Sequence, residues 1–149
     1  MARNIEIKAR VADLDALAAR PNVHVLGRLP YARLPAVLKG CAVGLVPFVV
    51  DEYTRHIDPV KLREYLSAGL PVVATALPEV AAIDATCRIV RGVDDLIVAL
   101  EAALRDSGPE ARVRRSMAMA GETWEARVEA LGAHLMRLSD DPVPEAPAA

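Results

Sequence analysis

Between Asp58 and Ala68 the chain reads DPVKLREYLSA, and two residues in it could do chemistry together. Lys61 is a cation in the first turn of a short helical stretch, where the peptide dipoles already sum to a positive end. Acidic residues are the ones favoured there, by roughly 0.3–1 kcal/mol each. Glu64 follows three residues later, on the same face. Asp58 suits the N-cap and Pro59 the first helical position, while Gly69 and Pro71 form the stop. The spacing predicts a helix from Pro59 to Ala68 that buries Leu62, Tyr65 and Leu66. At its start, free backbone N–H groups, the dipole and Lys61 coincide, an assembly that suits a diphosphate. Glu64 offers two acceptor oxygens to vicinal hydroxyls such as those of a ribose. A solvated Lys–Glu pair, worth about 0.2–0.5 kcal/mol, explains the same spacing in the less favourable order. On the residues alone both readings stand.

The neighbouring elements decide where that helix points. VGLVPF (Val43–Phe48) is an uninterrupted apolar run, as a strand covered on both faces requires, and PVVAT (Pro71–Thr75) is another. IEIKARV (Ile5–Val11) alternates as a half-buried or edge strand. VHVLG (Val23–Gly27) and CRIVRG (Cys87–Gly92) read as further strands. ARLPAVLKGC (Ala32–Cys41) has helical spacing with Gly40 as a stop, and VDDLIVALEAALRD (Val93–Asp106) is amphipathic through Leu96, Leu100 and Leu104. Repeated strand–helix–strand units predict an α/β fold, a Rossmann-like parallel sheet with helices on both faces. Right-handed crossovers then gather the strand-to-helix loops at one edge, where such folds bind ligands.

The last segment, PEARVRRSMAMAGETWEARVEALGAHLMRL, reads as helical. Trp124, Val128, Leu131, Leu135 and Leu138 recur every three or four residues as an apolar stripe. The stripe either packs on the domain's own core or docks on another domain or subunit. Arg112, Arg114 and Arg115 beside it read as a solvated face.

At 149 residues, 53% hydrophobic and 26% charged, the composition is that of one globular domain. Aromatics are only 3%, so the core is expected to be Val, Leu, Ile and Ala. A net charge of −2 gives no general attraction to nucleic acid or to an anionic membrane. Any phosphate recognition must therefore be local. Cys41 and Cys87 lack metal-type spacing and read as buried free thiols, which fits a reducing compartment. The start lacks the apolar region of a signal peptide, and AVGLVPFVV is too short to span a bilayer. A soluble, cytoplasmic protein is expected. The organisation read from the sequence is an N-terminal strand and connector over 1–20, the domain over 21–138, and a disordered Pro/Ala-rich tail over 139–149.

PNVHVLGRLPYARLPAVLKGCAVGLVPF followed by DPVKLREYLSAGLPVVATALPEV resembles the C-terminal, nucleotide-binding half of bacterial GT-B glycosyltransferases, in particular relatives of family 4. The resemblance runs from about Pro21 to Leu138. It implies that the helix at Pro59 receives the nucleotide diphosphate of an activated sugar, that Glu64 binds ribose hydroxyls and that Lys61 contacts phosphate. Thr75 and Glu79 would lie beside the donor, although Glu79 also reads as a capping residue for the next segment. No cofactor or metal is implied beyond the nucleotide-sugar itself. The family often carries a second glutamate eight residues before the ribose-binding one. His56 stands at that position here, so the resemblance carries neither the donor-sugar contact nor the stereochemical course. The acceptor and usually the catalytic base belong to an N-terminal domain in that family. Such a domain, or self-association through the Trp124 helix, is the implied partner.

The first residues, MARNIEIKARV, resemble the opening of the CYTH family of triphosphate-tunnel proteins, with Asn4, Glu6 and Lys8 on the first strand. A tunnel needs many strands with inward charges, and nothing after Val11 supplies them.

Overall fold

The protein was analysed as a computed structural model that describes residues 5–7, 14–83 and 87–140. Four parallel strands form one sheet in the spatial order of the sequence: β1 (Ile5–Ile7), β2 (Val43–Val46), β3 (Val72–Thr75) and β4 (Cys87–Val90). Ile5 lies opposite Val43, Gly44 opposite Val72, and Val72 opposite Cys87. The helices are α1 (Leu14–Ala18), α2 (Leu34–Gly40), α3 (Val60–Ser67), α4 (Pro78–Ala82), α5 (Val93–Arg105), α6 (Pro109–Ala118) and α7 (Trp124–Asp140).

The sheet is covered on both faces, as the apolar runs require. Val46, Val72 and Ala74 pack with Leu38 of α2, Leu62, Tyr65 and Leu66 of α3, and Val80 of α4. Val43, Leu45 and Val73 point the other way, against Leu96, Leu100, Ala103 and Leu104 of α5. Period-two alternation along β2 and β3 thus feeds two apolar layers, and the sequence shows no polar face because neither face meets water. Gly44 lets Tyr65 lie against β2, since a Cβ there would stand 2.4 Å from the ring. The three buried residues of α3 are those the helical spacing predicted, and each contributes on the order of 1.5–3 kcal/mol of burial.

Helix α3 ends as the sequence required. Gly69 takes φ +77°, its N–H donates to the Leu66 carbonyl at 2.8 Å, and the Leu70 N–H donates to the Tyr65 carbonyl at 2.9 Å. That pair of bonds is the Schellman closure.

Four expectations need correction. Val23–Gly27 forms no strand: Ile5–Ile7 takes the free edge of β2, and Val25 and Leu26 stay exposed. Asp58 does not cap α3. The helix starts one residue later, with Pro59 as N-cap and no side-chain cap bond, because the Asp58 carboxylate is drawn to Arg63 and Arg127. The long C-terminal segment is two helices, broken over 119–123, with the Thr123 hydroxyl accepting the Ala126 N–H at 3.2 Å to start α7. Arg112 and Arg115 are not a solvated face. Arg112 donates to the carbonyls of Lys39 (3.3 Å) and Cys41 (2.8 Å), and Arg115 is buried. Of the two readings of the α7 stripe, packing on the domain's own core is not met: Trp124 is 80% exposed.

Cys41 and Cys87 are half-buried against the α3-side core rather than fully buried. Beyond Asp140 the expected tail lies outside the described residues, as do Asn4 and Lys8.

Candidate functional site

The parallel arrangement places the ends of β2 and β3 and the starts of α3 and α4 at one edge of the sheet. The Thr75 hydroxyl, on the last residue of β3, donates to the carbonyl of Val46, the last residue of β2, at 3.5 Å. Pro59 is buried at the N-cap of α3. It has no N–H to offer, so Val60 and Lys61 supply the first backbone donors, and no side chain caps that turn. Glu79 occupies the first turn of α4, exposed, with no side-chain cap bond there.

Lys61 and Glu64 are brought together. The ammonium Nζ lies 2.8 Å from Glu64 Oε2, with the side chains 28% and 14% exposed. Oε2 is itself buried and has no aligned hydrogen-bond donor, so the contact is an ion pair without good hydrogen-bond geometry. The solvated-pair reading of the spacing is therefore met as to pairing, but the pair is half-buried instead of solvated. His56, the last residue of a 3-10 turn over Thr54–His56, is exposed. It shares the loop between β2 and α3 but has no side-chain partner among the described residues.

That loop is held by two residues the sequence reading passed over. The Asp51 N–H donates to the Thr54 hydroxyl at 2.8 Å, and the Thr54 N–H donates to Asp51 Oδ1 at 2.7 Å. The Thr54 hydroxyl in turn donates to the Val49 carbonyl at 2.7 Å. The signal was available, since an aspartate three residues before a threonine is the reciprocal pattern of a capped turn. The hydrogen bond from the Thr54 backbone N–H holds the Asp51 carboxyl below its usual range. Replacing Thr54 by valine should cost about 1–3 kcal/mol, since the shape is kept and a buried hydroxyl with its acceptor is lost. A depressed native pKa stabilises above the unfolded pKa, and that share fades as pH falls through the native one. Valine keeps that N–H, so wild type and Thr54→Val should lose this share alike in acid and the gap should hold, which urea titrations at several pH values would check.

A second feature flanks α3. Arg63 pairs with Asp58 and, through Nε, with Glu122 Oε2 at 3.2 Å; Arg127 meets the same Oε2 at 3.1 Å and Asp58 Oδ2 at 3.7 Å. Hydrogen bonds from Arg63 and Arg127 hold the Glu122 carboxyl below its ordinary range. An open surface depression lies on α6, around Pro109, Val113 and Met117, away from the α3 edge.

A family profile described as glycosyl transferases group 1 matches residues 6–107. The chain belongs to the group 1 glycosyltransferases. The matched span runs from within β1 to just past α5 and contains the whole α3 edge. This glycosyltransferase domain is also 36% identical, over 58 residues and 39% of its length, to a Bacillus subtilis (strain 168) protein, TuaH, whose name assigns it provisionally to teichuronic acid biosynthesis as a glycosyltransferase. The chain spans 15% of that relative's length. No solved structure matches it significantly. The tunnel likeness of the first residues finds no support in these comparisons, and Ile5–Ile7 joins a parallel sheet. No described helix is long and apolar enough to cross a membrane.

Proposed function

We propose that this glycosyltransferase domain binds the nucleoside diphosphate sugar donor, as the C-terminal-type half of a GT-B enzyme, and that a second domain or chain supplies the acceptor site. In the reaction, the bond from the sugar's anomeric carbon to the diphosphate breaks as one to an acceptor hydroxyl oxygen forms. The diphosphate leaves with the electron pair. The acceptor proton passes to a base outside the residues proposed here. The uncapped start of α3 and Lys61 would stabilise the charge gathering on the leaving group, and Glu64 would accept the ribose hydroxyls. Thr75, Glu79 and His56 would line the donor side of the same edge.

One observation carries this reading: Lys61 and Glu64 stand together at the open start of α3, on the edge where the parallel strands end. Calorimetric titration of UDP and GDP tests it. Lys61→Ala should weaken the favoured nucleotide about tenfold, the effect of one charged hydrogen bond. Glu64→Ala should abolish the preference for that nucleotide over its 2′,3′-dideoxy form. If neither change follows for a detected interaction, the site is wrongly assigned. A pure interaction module is the second reading, favoured by the exposed stripe of α7. It predicts no nucleotide binding, with concentration-dependent assembly in sedimentation that Trp124→Ala weakens.

A further inference from the structure

Lys61 is the cation a diphosphate would meet at α3, yet its ammonium is already 2.8 Å from Glu64 Oε2. Both side chains are mostly covered, so solvent and salt screen the pair less than they would an open surface pair. A free phosphate approaching this helix start meets a neutralised lysine. To take the ammonium it must strand a carboxylate whose oxygen is buried, and an uncompensated buried charge is strongly unfavourable. A ligand that carries hydroxyl donors beside its phosphates escapes this penalty. A carboxylate accepts about four hydrogen bonds, so hydroxyls can replace the ammonium on Glu64 as phosphate oxygens replace the carboxylate on Lys61. No neighbouring carboxylate takes over the task, because Asp58 is held by Arg63 and Arg127 and Glu79 is exposed on the first turn of α4.

Resting on the donor-binding reading above, we propose that Glu64 is the specificity-determining residue of the α3 edge. Paired with Lys61 it holds off inorganic phosphate and diphosphate, and it admits phosphoesters that bring vicinal hydroxyls. Glu64 then does two things: it removes a charge that any anion would find attractive, and it returns that charge only in exchange for a sugar diol.

The experiment is calorimetric titration of the whole chain with inorganic diphosphate and with UDP, for wild type, Glu64→Gln and the double variant Glu64→Gln/Lys61→Met. Glutamine keeps the size of the side chain and loses the charge, and circular dichroism checks that each variant is folded. The expected result is a gain of about three- to tenfold in diphosphate affinity for Glu64→Gln, the range in which a half-buried pair exceeds an exposed one. The double variant should lose that gain. Unchanged or weaker diphosphate binding by folded Glu64→Gln overturns the proposal, even where wild type binds UDP through Lys61. Conversely, a gain in diphosphate affinity with no UDP binding by wild type supports the closed pair and overturns donor binding alone. Failure of every variant to bind either ligand overturns both. Should Glu64→Gln not fold, Glu64→Asp, which shortens the reach to Lys61, is expected to show a smaller gain of the same sign, and no gain there overturns the proposal.

Discussion

Gly69→Val is expected to destabilise the domain by about 3–5 kcal/mol, from a left-handed backbone forced on a branched residue and from overpacking against α6. Gly69 holds φ +77°, and a Cβ there would stand 2.6 Å from the Arg112 carbonyl oxygen and 3.0 Å from its carbon. The obstacle is backbone in the first half of α6, so no side-chain rotation relieves it. Nor can Gly69 retreat: its N–H closes α3 and its carbonyl receives Arg115 Nε at 3.1 Å. Urea unfolding measures the loss. Gly69→Asn separates the two causes, because asparagine tolerates this backbone region but keeps the Cβ. It should remain clearly destabilised, and near-wild-type stability would show that contact with α6 is not the cause.

Arg115→Met should cost about 2–4 kcal/mol, the scale of losing charged hydrogen bonds in a buried position. Arg115 is 4% exposed and joins three elements. Beside the bond to Gly69, it donates to the Asp106 carbonyl at 2.7 Å and to Asp106 Oδ2 at 3.1 Å. Asp106 is the C-cap of α5, so one guanidinium links the end of α3, the end of α5 and α6. Burial pulls its pKa down and the Asp106 charge opposes that. Methionine would fill the space and leave two carbonyls without their donor. Lysine keeps the charge but lacks the planar fork, so Arg115→Lys should recover only part of the loss. Because Arg115 and Gly69 share a bond, the two single losses should not add, and a double-mutant cycle would read a coupling of about 0.5–3 kcal/mol.

The parts legible in the sequence are those governed by short-range rules. Leu62, Tyr65 and Leu66 reveal α3 by spacing, Gly69 and Pro71 reveal its end, and unbroken apolar runs reveal strands with two covered faces. The misses share another origin. Whether Val23–Gly27 becomes a strand depends on which segment reaches the free edge of β2, and β-branched residues alone do not determine pairing. Asp58 has an ideal N-cap type, but Arg63, five residues on, and Arg127, from the far end of the chain, compete for its carboxylate. Arg115 looks like surface until the carbonyls of Gly69 and Asp106 are brought to it. The candidate site was half legible. The spacing of Lys61 and Glu64 announced a pair, but how deeply the pair is covered depends on the packing of α3 as a whole.

The ring of Asp58, Arg63, Glu122 and Arg127 has a consequence for α7. No side chain described in that helix is buried, and the ion pairs that link it to the flank of α3 are partly open to solvent. Such a tie weakens with ionic strength, while the apolar layers around the sheet tighten. Salt therefore works as a clutch. Raising the salt should loosen α7 from the loop that carries His56 and Pro59 before it disturbs the sheet, and the fluorescence anisotropy of Trp124 would follow that loosening.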